Sequence, residues 1–298
     1  MKNVNVNKFA RPRLLIVGCG DVGLRLLPRV RQAFRVIAIT SQPERCAELR
    51  AAGAVPLVAN LDHPATLRRL KGLARHVVHL APPQPEGPLD RRTRHLTAIL
   101  PERGRLVYIS TTGVYGDCKG EWVEESRPVA PRNARAIRRV DAEQVLRRWA
   151  RRSGSALSIL RAPGIYAEDR LPLERLRLGT PALRDDDDVY TNHIHADDLA
   201  RAIARALFKG LPGRVVNAVD DSDMKMAAYF DAVADAHGLP RPPRLPRDAL
   251  RQVVSPALLS FMSESRRLRN NRLKKELGLK LRYEKVVDCL QQRKPGVS

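Results

Sequence analysis

The sequence predicts an α/β fold built on a parallel β-sheet, and three observations support this prediction. Apolar runs of strand length alternate with helical patterns from Leu14 to about Leu207. Such alternation is typical of parallel strands that are joined by crossover helices. Polar turns, or turns that contain Gly or Pro, follow the apolar runs, and the first run leads directly into a glycine-rich loop. We therefore expect a doubly wound parallel sheet.

Six strands are predicted in the first part of the chain, because each apolar run there is bounded by turn residues. They lie at 13–18, 35–40, 54–60, 76–81, 105–110 and 156–162. Helical patterns occupy 23–33, 43–53, 65–74 and 89–100, and a long helix opens near Pro131. Pro28 is expected to end or kink the first helix early, because its ring removes a backbone donor.

The alternation stops after Ala162, where loops rich in Gly and Pro precede a helix at 196–207 and a strand at 214–219. Mostly helical patterns follow to the end of the chain. We expect residues 1–165 to form the sheet domain and residues 166–298 to form a smaller substrate region. This region is expected to be discontinuous, with 191–219 packing back on the sheet domain.

The bulk composition narrows the class of protein. A chain of 298 residues with 43% apolar residues can bury a proper core. No apolar run is long enough to span a membrane, and the polar stretch from Met1 to Arg13 lacks the apolar centre of a signal peptide. The four cysteines are far apart and form no C-x-x-C pair. We expect a cytoplasmic protein without disulfides or a metal site.

The net charge of +22 raises the question of a nucleic-acid partner. The basic residues recur as Arg-Arg pairs along the predicted helices, for example Arg68-Arg69 and Arg147-Arg148, and no basic tail is present. Solvated helix faces are the favoured explanation for this pattern. Aromatic residues make up only 4% of the chain, so few platforms for base stacking are expected. A nucleic-acid partner is therefore disfavoured.

The glycine-rich loop "IVGCGDVG" places Gly18, Gly20 and Gly23 in G-x-G-x-x-G register between the first strand and the first helix. This context predicts a dinucleotide-binding loop of the Rossmann type. Gly18 permits a tight turn, Gly20 a close approach of the pyrophosphate, and Gly23 close packing of helix on strand. Asp21 and Val22 lie at the helix N-terminus, where amide donors and a partial positive charge favour phosphate.

The choice between NAD and NADP should show at the end of the second strand. NAD-binding proteins of this fold place an acidic residue there to hold the ribose hydroxyls. Here the strand ends in Thr40 and Ser41, and Arg45 follows. Small hydroxyl residues and an arginine suit a ribose phosphate. We expect NADP, slightly preferred over NAD.

Four further segments carry a resemblance to a known family. They are "HLAPP" (79–83), "YISTTGVYGD" (108–117), "LRAPGIY" (160–166) and "TNHIHADDLARAI" (191–203). Together with the glycine loop they resemble the extended short-chain dehydrogenase/reductase superfamily of NAD(P)-dependent sugar-nucleotide epimerases and dehydratases. "GCGDVG", "STTGVYGD" and "RNNRLKKELG" are similar to its atypical branch, which lacks the usual tyrosine.

The resemblance implies roles for individual residues. Thr111 takes the place of the Ser or Thr that binds the reacting oxygen. Glu143 aligns with a glutamate of the superfamily, and this puts Arg135 and Arg139 in the places of the usual Tyr-x-x-x-Lys. Further cofactor contacts are implied at Asn60, Leu61, Leu80, Ala81, Pro82, Pro163, Gly164 and Ile165, and also at Thr111 and Arg139.

The two arginines change the chemistry that the resemblance implies. Arginine has a pKa above about 12 and cannot shuttle protons as tyrosine does. Arg139 can contact the nicotinamide ribose, and Arg135 can grip a carboxylate or phosphate. Alternatively, Arg139 and Glu143 form an exposed ion pair and Arg135 is merely solvated. A proton can also come from elsewhere, and the candidates are Tyr115, Tyr166, His193 and His195.

Three functions remain open from the sequence. The first is an oxidoreductase, epimerase or dehydratase that acts on an anionic or nucleotide-linked hydroxyl compound. The second is a non-catalytic NADP sensor or regulator, and the third is a basic protein that binds nucleic acid. The acidic run from Asp185 to Asp188 is expected to be a solvated loop without a metal. The resemblance also implies a homodimer through the helices at 89–100 and around Arg135.

Overall fold

The computed structural model describes residues 11–291, and the chain divides into two compact units. Unit 1 contains residues 1–110, 137–160 and 200–215, and unit 2 contains residues 111–136, 161–199 and 216–298. The expected boundary after residue 165, with 191–219 packing back on the sheet domain, stays a prediction, and each of the two units is assembled from three segments. No helix among the described residues is long and apolar enough to cross a membrane. The expectation for the stretch from Met1 lies outside the described residues as far as residue 10.

A seven-stranded sheet is the framework of the fold. Its strands are β1 (Arg13–Val17), β2 (Arg35–Thr40), β3 (Val55–Val58), β4 (His76–His79), β5 (Arg105–Thr111), β6 (Ala156–Ala162) and β7 (Arg214–Asn217). Their order across the sheet is β7-β6-β5-β4-β1-β2-β3. The pairings from β3 to β5 are all parallel. The predicted doubly wound sheet is therefore confirmed.

Eleven α-helices occur in the described part of the chain. They are α1 (Asp21–Val30), α2 (Cys46–Ala51), α3 (Arg91–Thr97), α4 (Ala134–Ser153), α5 (Leu173–Arg177), α6 (Ala196–Lys209), α7 (Met226–Ala236), α8 (Arg247–Val253), α9 (Pro256–Phe261), α10 (Asn271–Lys275) and α11 (Val286–Gln291). Helix α1 runs through Pro28 and ends two residues later. The predicted pattern at 23–33 thus ends early, two residues after Pro28, whose ring removes a backbone donor.

Two predicted helices differ from the structure. The pattern at 65–74 forms a 3-10 helix at Pro64–Leu70 instead of an α-helix. Pro64 opens it, and Gly72 follows it two residues after its end. Helix α4 begins at Ala134 rather than near Pro131, because the Asn133 side chain accepts the backbone N–H of Ala136 at 2.9 Å. An asparagine in this place is a typical helix N-cap.

Each unit has its own apolar core. In unit 1, buried side chains of the central strands, among them Leu15, Ile37 and Leu106, pack with Leu146 and Trp149 of α4. The near-continuous burial of the strands explains why they read as uninterrupted apolar runs. In unit 2, Tyr166, Phe230 and Val286 belong to a second core built largely from α7 and α11. Short strands pair at its margins, for example Gly164–Tyr166 with His193–His195.

Candidate functional site

The three glycines of the loop in unit 1 have different surroundings, and each fits the role expected from the sequence. Gly18 has φ +82°, and a Cβ there would lie 2.6 Å from the backbone nitrogen of Ala81. A Cβ on Gly23 would lie 2.8 Å from the Cys19 sulfur, so this glycine lets α1 pack closely. Around Gly20, by contrast, no described atom comes within 4 Å of a Cβ position. The loop therefore leaves room beside Gly20 at the N-terminus of α1, where a phosphate is favoured.

A cleft of about 280 Å³ opens beside this loop. Nine residues expected to bind the cofactor line it: Gly18, Gly20, Thr40, Ser41, Arg45, Asn60, Leu61, Ala81 and Pro82. They come from the ends of β1, β2, β3 and β4, which meet at the carboxyl edge of the parallel sheet. Ligands of open α/β sheets bind at this edge. The room beside Gly20 and the donors in the cleft fit a dinucleotide.

The end of β2 is organised by a turn. The Thr40 hydroxyl accepts the backbone N–H of Gln42 at 3.1 Å, while Ser41 is exposed. Arg45 donates from NH1 to the carbonyl of Cys19 at 2.9 Å and pairs with Glu48. The guanidinium is thus held against the glycine loop. It can offer its remaining donors to an anionic group in the cleft.

Arg92 is a second arginine of the cleft, and its place there was not predicted from the sequence. It forms a bidentate pair with Asp62, with distances of 2.8 and 2.6 Å, and donates to the carbonyl of Pro82 at 3.0 Å. The hydrogen bond from Arg92 lowers the pKa of Asp62. In the sequence, Arg92 stands out only as a member of the Arg91-Arg92 pair. Membership in such a pair does not show whether an arginine lines a cleft or faces solvent.

Nine residues of the expected cofactor set do not line this cleft, and four of them, Asp21, Val22, Gly23 and Leu80, lie close to the glycine loop. Asp21 pairs with Arg25 within α1, and Val22 lies half-buried on the same helix. Gly23 and Leu80 contact each other, since the Leu80 side chain lies 3.4 Å from the Cβ position of Gly23. These four residues pack beside the glycine loop without lining the cleft.

Arg139 is held by the sheet of unit 1. Its NH1 donates to the Tyr108 hydroxyl at 3.0 Å and to the carbonyl of Ile109 at 2.8 Å. Tyr108 is completely buried, and this burial raises its pKa to about 12 although Arg139 opposes the shift. A tyrosine and a cation thus do lie together in this protein. Tyr108 stays protonated and acts as an anchor for Arg139.

Glu143 is buried, which contradicts the alternative of an exposed pair with Arg139. The Ser110 hydroxyl donates to its carboxylate at 2.6 Å. On helix α4, Arg139 binds Tyr108 and Ile109 of β5. Glu143 binds Ser110, the next residue of the same strand. The sequence spacing was compatible with a pair between them, but tertiary contacts with β5 determine the partners.

His79, in the "HLAPP" segment, is a buried histidine of unit 1. Its Nε2 lies 3.1 Å from the Thr93 hydroxyl, and its ring lies 5.1 Å from that of Tyr108. Burial lowers the pKa of His79 to about 3, and Arg139 and Arg92 add to this effect. The imidazole is therefore neutral at physiological pH and belongs to the support of the sheet.

Thr111 and Arg135 belong to unit 2, so they are described apart from Arg139. Thr111 is half-buried at the end of β5, and its hydroxyl accepts the backbone N–H of Gly113 at 3.3 Å. Arg135 is exposed, and its guanidinium lies 4.3 Å from the ring centre of Phe261. Arg135 thus has an aromatic neighbour and is not a simply solvated side chain.

Pro163, Gly164 and Ile165 form the link between β6 and a short parallel strand pair of unit 2. Gly164 is exposed, and Pro163 and Ile165 are half-buried. The backbone of Gly164 donates to the carbonyl of Asn192 at 3.3 Å.

All four candidates for a substitute proton donor are buried in unit 2. The Tyr115 hydroxyl donates to the Asn217 side chain at 2.8 Å, and Tyr115 is only 1% exposed. Burial raises the pKa of Tyr166, and the carboxyl of Asp220 adds to the shift. Burial also lowers the pKa of His193 to about 3. Tyr166 and His193 are therefore held in their neutral forms.

His195 lies in a cluster that the sequence spacing did not reveal. Ligand atoms of His195, Glu168 and Cys289 lie within 4.8 Å of one another. The His195 Nδ1 accepts the backbone N–H of Asp197 at 3.1 Å, so the proton of the neutral ring is on Nε2. This Nε2 faces Glu168 at 3.6 Å. At this distance the imidazole and the carboxylate lie near each other, but the contact is too long for a hydrogen bond.

Comparisons with known proteins agree with this architecture. The model of the NAD dependent epimerase/dehydratase family matches residues 14–218. A conserved protein of unknown function from Silicibacter pomeroyi DSS is 29% identical, with a TM-score of 0.78 over 94% of this chain and 97% of that chain. A UDP-glucose 4-epimerase from Thermotoga maritima, solved with UDP-glucose, has a TM-score of 0.74 at 18% identity over 94% and 97% of the two chains. The latter likeness establishes the fold alone.

A curated relative covers a shorter region. The dTDP-glucose 4,6-dehydratase of Streptomyces niveus is 31% identical over 121 residues, which are 38% of this chain and 36% of that enzyme. The chain thus matches about a third of the length of this relative.

Proposed function

This chain belongs to the NAD-dependent epimerase/dehydratase family, and we propose that it is an NADP-preferring oxidoreductase or epimerase. Its substrate would be an anionic hydroxyl or carbonyl compound, such as a sugar nucleotide. The observation that carries this proposal is the cleft at the glycine loop. There, Gly20 leaves room for a pyrophosphate, and Ser41 and Arg45 stand where an NAD-specific acid would otherwise be.

In this proposal, the cofactor supplies a hydride acceptor and donor when it is bound. The glycine loop holds the phosphates, and Ser41 and Arg45 hold the ribose phosphate. Arg139, anchored by Tyr108, offers its remaining donors to the nicotinamide ribose. Thr111 orients the reacting hydroxyl of the substrate, and the exposed Arg135 binds its anionic group. Neither arginine is assigned a proton transfer, because guanidinium does not lose its proton at physiological pH.

The experiment that tests the proposal is a titration of the protein with NADPH and, separately, with NADH, followed by nicotinamide fluorescence. We expect tighter binding of NADPH. Equal or weaker binding of NADPH would refute the preference, and binding of neither would refute the cofactor site. Turnover of sugar nucleotides by the native protein and by Thr111→Ala would then test catalysis, since removal of the orienting hydroxyl should reduce kcat without changing NADPH affinity.

A non-catalytic NADP sensor is the second candidate, and a specific observation favours it. Arg139 and Arg135 replace the residues that would transfer the proton, and Tyr115 is committed to Asn217. A sensor should bind NADPH as tightly as an enzyme does, yet Thr111→Ala should leave its cellular function unchanged. Loss of that function in Thr111→Ala would favour the enzyme.

The proposal includes a homodimer in a reducing, cytoplasmic environment. All four cysteines are free thiols in the structure, as a reducing compartment requires.

The dimer would pair through α3 and α4. Light scattering of the purified protein tests it, and a mass near 33.4 kDa, that of one chain, would refute it.

A further inference from the structure

The net charge of the protein is distributed very unevenly between its two units. The segments of unit 1 contain 29 Lys and Arg residues and 9 Asp and Glu residues, a net charge of +20. Those of unit 2 contain 25 and 23, a net charge of +2. Unit 1 thus carries nearly all of the +22. Charges that look evenly spread along the sequence are concentrated by the fold.

The fold also brings several arginines of unit 1 to one edge of the sheet. Strands β1, β2, β5 and β7 each begin with an arginine, and β4 begins directly after Arg75. Because these strands are parallel, their first residues lie at the same edge of the sheet. The register places Arg13 beside Arg35 and His76 beside Arg105. We call Arg13, Arg35, Arg75, Arg103 and Arg105 the basic edge.

Backbone contacts show that the basic edge is continuous. The N–H of Arg35 donates to the carbonyl of Pro12 at 2.9 Å, and the N–H of Arg105 donates to that of Arg75 at 2.7 Å. Neighbouring strands are separated by about 4.8 Å. The edge is therefore a row of closely spaced cations at the side of the sheet opposite to the glycine loop.

Most arginines of the basic edge have no side-chain partner among the described residues. Arg13, Arg35, Arg75 and Arg103 are exposed, and their side chains make no hydrogen bond or ion pair with residues 11–291. Cations at helix C-termini, such as Lys209, are explained by the helix dipole. Strands have only small net dipoles, so the arginines that begin them have no such explanation. In the described loops that lead into the seven strands, Glu102 is the single acidic residue.

An exposed aromatic ring lies beside this row. Phe208, at the end of α6, is 50% exposed and stacks on Phe34 with 5.6 Å between the ring centres. Phe34 directly precedes Arg35, and its ring lies 5.0 Å from that of His76 at the start of β4. The basic edge thus combines guanidinium groups with an accessible ring face. Proteins that bind single-stranded nucleic acids use this combination of a cationic track and a stacking platform.

We propose that the basic edge binds the phosphate backbone of a single-stranded nucleic acid, with Phe208 stacking on a base. Arginine suits phosphate because its planar fork donates two hydrogen bonds at once. An acidic protein partner would account for the positive charge of the basic edge, but it would give no role to the exposed ring of Phe208. The site is separate from the cleft at the glycine loop and therefore goes beyond the proposed function.

The test is fluorescence anisotropy of the full chain with a labelled DNA single strand of about 20 nucleotides over a salt series. We expect binding that weakens steeply as salt increases. The triple variant Arg13→Gln, Arg35→Gln, Arg75→Gln should bind at least about 10-fold more weakly, and its salt slope should be smaller by about 2, since each phosphate contact contributes about 0.7. Phe208→Ala should weaken binding by about 5-fold or more.

A matched control removes three exposed cations of unit 2 through Arg177→Gln, Lys275→Gln and Lys285→Gln. This variant should bind DNA nearly as the native chain does. The proposal is overturned if the native chain does not bind the strand at low salt, or if both triple variants lose affinity equally. Equal binding of polyglutamate or of anionic vesicles would also overturn it. NADPH titration of the same variants keeps this result distinct from the proposed function, because the basic edge is not part of the cofactor cleft.

Discussion

The two units of this protein differ strongly in net charge, although both bury some ionisable groups, as unit 1 does with His79 and Glu143. Unit 1 keeps its excess of arginines at the surface, where Arg13, Arg35 and Arg75 are exposed. Unit 2 is nearly balanced in charge but buries Asp220 and Arg161, each 4% exposed, together with His193 and His195. Exposed charges contribute little to stability and are available to ligands. Buried ones must be neutral or paired, so they affect stability directly.

This difference separates two kinds of sensitivity. Binding to unit 1 should respond to salt, because its charges face solvent and are screened by ions. The stability of unit 2 should respond to pH, because the pKa values of its buried groups are displaced by burial. Substitutions in the two units should therefore be distinguishable by which of the two conditions changes their effect.

The largest effect is expected in unit 1 from Gly20→Val. Gly20 has φ −83°, which any residue adopts, and its Cβ would meet no described atom within 4 Å. The fold should remain intact while the side chain blocks the pyrophosphate, so NADPH affinity should fall by about 100-fold or more. Fluorescence titration measures the affinity, and thermal unfolding verifies the fold.

Gly18→Ala provides the matched comparison for that prediction. Gly18 has φ +82°, and its Cβ would clash with the backbone of Ala81. This variant should lose about 1–3 kcal/mol of stability through backbone strain. If Gly20→Val unfolds the protein as readily as Gly18→Ala, the assignment of Gly20 to the ligand is wrong.

The next effect concerns unit 2 and pH. Burial raises the pKa of Asp220 to about 7, above its unfolded value of about 3.9. Between these two values the folded protein retains a proton that the unfolded chain loses, so stability falls as the pH rises from about 4 to about 7. Asp220→Asn should remove this contribution and stabilise the protein at pH 8 by on the order of 2 kcal/mol.

Urea unfolding of Asp220→Asn at pH 4 and pH 8 checks the prediction against Asp223→Asn, an exposed control. The Asp220→Asn variant and the native chain should differ at pH 8 and agree at pH 4. A difference of equal size at both pH values would show that the carboxyl does not titrate as proposed.

A smaller effect should follow from Arg45→Ala in unit 1. The loss of one charge-assisted hydrogen bond to the ribose phosphate should weaken NADPH by about 10-fold. NADH carries no such phosphate, so its affinity should not change. Arg50→Ala, an exposed arginine outside the cleft, is the control. Equal losses for the two cofactors would refute a role of Arg45 in their discrimination.

The smallest effect should come from Tyr115→Phe in unit 2. The hydroxyl donates to Asn217, so its removal leaves a buried acceptor with one donor fewer and should cost about 1 kcal/mol of stability. Tyr190→Phe, at a half-buried tyrosine, should cost less. Turnover per folded molecule should be unchanged in Tyr115→Phe. A loss of kcat at full folding would instead make Tyr115 the missing proton donor.

The strands could be predicted because their side chains are almost continuously buried, so each strand appears in the sequence as an apolar run. The predicted runs at 35–40 and 156–162 coincide with β2 and β6. The pattern at 65–74 was misread as an α-helix, since apolar spacing alone does not distinguish a short 3-10 helix. The cleft partners Arg45 and Ser41 followed from strand order and position, whereas Arg92 did not, because its contacts with Asp62 and Pro82 join distant segments.

The sequence by itself determined the α/β class and the glycine loop, because these depend on local patterns. The tertiary structure alone decided that Arg139 rests on Tyr108 and that Glu143 is buried against Ser110. It also decided that scattered arginines meet at one edge of a sheet. Such pairings depend on which strands become neighbours, and this arrangement is selected by packing of the whole core rather than by any short stretch of chain.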